Sequence, residues 1–136
     1  MEEVVEDYKC ENCEDDSVKS RVLLIGHCPD ILTVQLKRFD WDGNKVTTAV
    51  RIPTTLALDN YRDVGNDLPQ LYELDAVIKH HGSGGFGHYI CDATAGDGEW
   101  YRFDDFEMSN SSVADATSSS KMGFTPYILF FRRKLN

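Results

Sequence analysis

The chain has 136 residues, 41% of them hydrophobic, and a formal net charge of -9. That composition suits one domain with a real core rather than a disordered segment, and no apolar run approaches the ~20 residues of a membrane-spanning helix. The acidic balance argues against nucleic acid as the main partner, because phosphates would be repelled, and it permits a basic partner or peptide.

The charge is uneven. Residues 1–16 hold eight acids and a single base, Lys9, so -7 of the total falls there. Acids crowd the start, where a secretory signal would be basic and then apolar. The four cysteines, Cys10, Cys13, Cys28 and Cys91, are therefore read as reduced thiols of an intracellular protein, cytoplasmic or nuclear. The sequon-like Asn110-Ser111-Ser112 is then chance.

In chain order, Cys10-Glu11-Asn12-Cys13 is the first pattern that bears chemistry. A C-x-x-C can be redox-active or half of a four-cysteine zinc site. Redox work needs a stabilised thiolate, which acidic neighbours disfavour, so half a zinc ribbon is the better reading. Adjacent His27 and Cys28 are poorly placed to supply the other two ligands.

The run Ile31–Phe39 predicts a strand, Asp42-Gly43-Asn44 a hairpin turn, and Val46–Ile52 a return strand ending at Pro53. Tyr72–Ile78 alternates and then turns apolar. Tyr89–Thr94 and Trp100–Phe103 flank the turn Ala95-Gly96-Asp97-Gly98. Ser109–Ser120 reads as a loop or short irregular element, and Tyr127–Phe131 as a buried strand solvated at its exit by Arg132, Arg133 and Lys134. Helical periodicity is scarce, so a mostly antiparallel sheet is expected.

The stretch His80–Tyr89 contains G-x-G-x-x-G, as Gly82, Gly84 and Gly87. A dinucleotide loop needs a helix after those glycines, whereas His88-Tyr89-Ile90-Cys91 is strand-like. A metal site built from His80, His81 and His88 is disfavoured, because adjacent histidines on an extended chain point to opposite faces. The bland reading leaves His80 and His81 as surface or hydrogen-bonded loop residues.

The hairpin offers a third role. With its turn at Gly96 and Asp97, partner numbers sum to about 193, which sets His88 opposite Asp105 with Asp104 one step away. A carboxylate beside an imidazole can fix its tautomer and stabilise the imidazolium while the histidine takes a proton from a nucleophile. Glycines just before that histidine leave room for a substrate backbone. An ordinary cross-strand ion pair fits the same spacing.

Taken in order, several stretches resemble one family. They are Tyr8–Cys13, Pro29–Leu32 leading into Leu36-Lys37-Arg38-Phe39, Ile52-Pro53 with Leu56 and Leu58, and Tyr72–Ile78. His80, Gly82, Gly87-His88-Tyr89, Trp100–Asp105 and Tyr127–Phe131 complete the set. Over about residues 8 to 133 the chain resembles the C-terminal half of a ubiquitin-specific protease catalytic domain. The resemblance implies an α+β, mostly antiparallel β, papain-like cysteine protease fold. Residues 1–20 would form an acidic finger segment with the C-x-x-C and 21–136 the palm, without the N-terminal thumb half.

The implied activity is hydrolysis of the bond after the C-terminal glycine of ubiquitin. It implies His88 as general base, Asp104 as its orienting partner with Asp105 sharing that role, and Gly82, Gly87 and Tyr89 lining the path of ubiquitin's tail. Cys10 and Cys13 would be half of a structural zinc site. The family's nucleophile box is absent from this sequence, and neither Cys28 nor Cys91 matches it. The expected partners are ubiquitin or a ubiquitinated protein and the missing N-terminal catalytic half, with no nucleic acid and no membrane. This chain alone is expected to be inactive. The rival expectations are a non-catalytic ubiquitin-binding or scaffold module, and an unrelated β-rich domain that binds metal through Cys10 and Cys13.

Overall fold

The computed structural model describes residues 2–5, 19–61, 71–84, 86–119 and 121–134. Cys10 and Cys13 lie outside the described residues. Strands β1 (Glu2–Val5) and β2 (Lys19–Val22) pair antiparallel, Glu2 opposite Val22 and Val5 opposite Lys19, as a separate two-stranded sheet. The segment joining them carries the C-x-x-C.

Seven strands make the main sheet: β3 (Ile31–Gln35), β4 (Thr55–Ala57), β5 (Leu71–Gly82), β6 (Gly87–Thr94), β7 (Trp100–Asp104), β8 (Glu107–Asn110) and β9 (Thr125–Arg133). Their spatial order is β3-β9-β5-β6-β7-β8, and every described pairing is antiparallel. β5 is the spine. β9 takes one of its edges, while β4 and β6 share the other, at residues 71–73 and 76–82 respectively.

Alternation explains the core. Leu32 and Val34 of β3 turn inward while Ile31, Thr33 and Gln35 face out. On β5 the inward residues are Tyr72 and Leu74, then Val77 and Lys79, a change of parity made by a register shift at Leu74/Ala76. One extra residue flips the face that follows it. Leu129 and Phe131 of β9, Cys28, Ile52 and Leu58 fill the same cluster. The Tyr72 hydroxyl, otherwise enclosed, donates to the Pro29 carbonyl at 2.6 Å.

Three sequence expectations need correction. The Val46–Ile52 return strand is absent. Its turn forms, with Asp40 Oδ1 accepting from the Asn44 amide at 2.7 Å and Phe39 bridging Lys45. Beyond that bridge, buried Arg38 donates to the carbonyls of Val46 and Thr48 at 3.2 and 2.5 Å, so a guanidinium satisfies the backbone that a ladder would have served. Next, residues 109–120 hold the end of β8 and the short helix α1 (Val113–Thr117). Ser112 caps α1 by accepting from the Asp115 amide at 3.1 Å, and Ala116 is buried against the core. The Ser112-x-x-Asp115 spacing is the signal that could have found it. Finally, His80 and His81 are both strand residues of β5 rather than loop residues, His80 buried and His81 at the surface.

Candidate active site

The connection between β5 and β6 occupies only residues 83–86. Gly82, at φ 116°, pairs with Gly87 and closes the hairpin. A methyl group on Gly87 would stand 1.9 Å from His80 Nε2, so the imidazole of His80 packs directly on the backbone beside His88. Burial first, then Lys45 and His81, hold the His80 imidazole below its ordinary pKa, and its buried Nδ1 has no hydrogen-bond partner among the described residues. A neutral ring suits a site that offers nothing to an extra proton.

His88 follows on β6, opposite His81. Its Nε2 meets Asp104 Oδ1 at 2.5 Å. Both side chains are half-exposed, at 42% and 45%. The hydrogen bond to Asp104 raises the His88 pKa above its ordinary value, with the charges of Asp104 and Asp105 adding to it. Nε2 is committed to the carboxylate, and Nδ1 makes no hydrogen bond among the described residues. The ring of Phe124 stands edge-on to His88, centroids 6.1 Å apart.

The strand register differs from the sequence expectation. Cys91 pairs with Phe103, Asp92 with Arg102 and Thr94 with Trp100, so partner numbers sum to 194 rather than 193. Asp104 therefore meets His88 along a diagonal, beyond the last ladder rung, on the same face of the sheet. Asp105 comes next in the tight β7–β8 turn at φ 50°, and a ring nitrogen of His88 and carboxylate oxygens of Asp104 and Asp105 all lie within 4.8 Å of one another. Tyr89 is on the opposite face of β6, half-exposed, its ring 4.6 Å from His80 and 6.2 Å from Tyr127.

The off-by-one register also hid a buried ion cluster. Asp92 accepts from Arg102 Nε and Nη2 at 2.9 and 3.1 Å and from Ser111 Oγ at 2.7 Å, and it pairs with Lys79 Nζ at 3.1 Å. Lys79 also donates to the Asp115 carbonyl of α1. Burial works to raise the Asp92 pKa, but the bonds from Arg102, Ser111 and Lys79 outweigh it and hold the carboxyl below its ordinary value.

The two described cysteines sit elsewhere. Cys28 is in the core cluster. Cys91 lies three residues past His88 on β6 and so faces the other side, and burial, helped by Asp92, pushes its thiol pKa up. Neither sulfur hydrogen-bonds to His88.

An antiparallel sheet that brings a histidine and an aspartate together at the open end of a hairpin belongs to a recognisable class. Solved structures of SAGA DUB modules share this architecture. One bound to monoubiquitin gives a TM-score of 0.81 at 28% identity, covering 99% of this chain and 30% of that one. A yeast module gives 0.84 at 26% identity, covering 99% and 31%. The fold is the α+β, mostly antiparallel, papain-like one.

Residues 2–131 match the family described as ubiquitin carboxyl-terminal hydrolase, and the chain belongs to that family. Ubiquitin carboxyl-terminal hydrolase 9 of Arabidopsis thaliana is 37% identical over 129 residues, 91% of this chain and 14% of that protein. Human ubiquitin carboxyl-terminal hydrolase 17-like protein 6 is 34% identical over 129 residues, 93% of this chain and 31% of that protein. The chain thus spans well under half the length of these relatives.

Proposed function

We propose that this chain supplies the general base and its orienting carboxylate to a cysteine-type deubiquitinase. The observation that carries the reading is the 2.5 Å contact between His88 Nε2 and Asp104 Oδ1, beside a glycine that only a bare backbone can occupy. In this reading Asp104 accepts from Nε2–H and holds the tautomer that leaves Nδ1 free. His88 takes the proton of a cysteine thiol, the thiolate attacks the carbonyl after ubiquitin's terminal glycine, and His88 returns the proton to the departing amine. Water, deprotonated in turn by His88, releases the acyl group. Asp105 adds negative charge beside the imidazolium.

Gly82 and Gly87 leave the path of an extended tail unobstructed, and Tyr89 offers that tail a contact away from the reacting atoms. The cysteine nucleophile comes from outside these 136 residues, in the thumb half that packs with this palm. Cys10 and Cys13, on the segment between β1 and β2 in sequence, would be half of the four-ligand set of a structural zinc ion. With two further thiols from a finger strand elsewhere, they would cross-link the fingertip and take no part in the chemistry.

The test is turnover of a fluorogenic ubiquitin substrate. In the intact enzyme, His88→Ala should abolish it. The isolated chain should show none. Turnover by the isolated chain that survives purification would overturn the division of roles, and its loss on Cys28→Ser or Cys91→Ser would name the nucleophile. A scaffold that only binds ubiquitin is the second reading, favoured by the lack of any described thiol bonded to His88. It requires that ubiquitin bind while His88→Ala changes no hydrolysis in the intact protein.

A further inference from the structure

We propose that Asp92 is a positioning residue for the His88–Asp104 pair: clamped by Arg102, Lys79 and Ser111, it fixes the angle at which β7 leaves β6.

The β6–β7 ladder runs from Thr94/Trp100 to Cys91/Phe103 and no further. His88 and Asp104 lie past its end: His88 is paired with His81 on β5 and Asp104 with Glu107 on β8, but no β6–β7 rung ties one to the other. Continued at the same register, His88 would face Phe106, and Asp104 reaches it only along the diagonal. A diagonal contact of 2.5 Å depends on how the two strands splay after their last rung.

The Asp92/Arg102 rung is the second to last, and it is the one tied by side chains. A planar fork onto a carboxylate restrains orientation as well as distance. The same carboxylate gathers Ser111 from the segment after β8 and Lys79 from β5, and Lys79 carries the tie on to α1. Arg102 and Asp104 are two residues apart on one face. With Lys79, Ile90, Lys121, Met122 and Phe124 they line a single cavity of about 100 Å³. Phe124 in turn packs against the His88 ring.

Stability alone is a poor account of this cluster. Asp92 and Lys79 are both fully buried, and a buried ion pair is seldom more stabilising than apolar side chains of the same volume. Directional restraint is what the charged cluster offers and an apolar one lacks.

The inference rests on the functional reading of His88, but its test needs no substrate. It follows the His88 imidazole by NMR titration in the full 136-residue chain. In the wild type, His88 should titrate above its ordinary value, with a protected Nε2 proton. Asp92→Asn should lower that titration toward the ordinary imidazole value and expose the proton to exchange. Asp75→Ala, which removes the side-chain acceptor of Arg132 and Thr94 away from the His88 end of β5, should change neither. If Asp92→Asn does not fold, Arg102→Lys decides, since it keeps the charge and loses the fork. A folded Asp92→Asn or Arg102→Lys chain whose His88 titrates as in the wild type overturns the proposal. Failure of His88→Ala to affect turnover in the intact enzyme would sink the functional reading and leave this measurement standing.

Discussion

Two charged groupings share one face of the same hairpin and differ in almost every physical respect. Asp92 is enclosed and saturated, its oxygens taken by Arg102, Lys79 and Ser111. Asp104 is half-exposed and meets His88 with nothing further spent on the imidazole's second nitrogen. Four residues along β6 therefore separate a group that can only hold from a group that can still react. Chemistry needs an uncommitted lone pair with access to a reactant, and burial with full pairing removes both.

That contrast can be broken experimentally. The largest effect expected is on turnover. His88→Ala in the intact enzyme should cost at least about 10²–10⁴-fold in kcat, the range ascribed to a positioned acid–base group. The urea midpoint should barely move, because the side chain is half-exposed. Asp92→Ala should do the reverse in kind. Leaving Lys79 and Arg102 without their buried counter-ion should cost about 3–5 kcal/mol in urea denaturation.

Next, Gly87→Ala must force His80 aside. It should cost about 1–3 kcal/mol, and the relaxing variant Gly87→Ala with His80→Ala should recover part of the loss. Smaller still is the pH dependence. The folded-state pKa of Asp92 is depressed, so its contribution is fully present above the ordinary 3.8 and is lost as pH falls through the folded value. The urea midpoint should therefore drop below about pH 4 in the wild type and stay flatter there in a folded Asp92→Asn chain. His88 has the opposite sign. Its pKa is raised, so the pair's contribution is present below 6.5 and is lost as pH rises through the folded value, a trend that Asp104→Asn should erase in an NMR titration. The smallest effect belongs to the surface pair Lys134–Glu73, whose removal should move stability by less than about 1 kcal/mol.

Much of this was legible in the linear chain. Strands around 31, 72, 89, 100 and 127 follow from apolar runs and turn residues, and each forms. The association of His88 with an acid of the 104–105 pair follows from a hairpin centred on Gly96. What escaped is instructive. A one-residue error in register put Arg102 opposite the wrong partner, and with it the Asp92 cluster vanished from view. The inward turn of Lys79 depends on a bulge whose place Tyr72–Lys79 does not announce. Val46–Ile52 has the composition of a strand, but two of its carbonyls, those of Val46 and Thr48, are claimed by the Arg38 side chain.

The sequence by itself determined that the sheet is antiparallel, that a strand rather than a helix follows the glycines, and that His88 has an acid within reach. These are local matters, set by residue periodicity and turn chemistry acting over a few residues. Only the tertiary structure decided that Asp104 reaches the imidazole along a diagonal, which face of β5 carries Lys79, and that His80 is the floor beneath Gly87. Those outcomes depend on register, bulges and strand splay. Such quantities are fixed by packing between segments far apart in the chain, and no short stretch of residues encodes them.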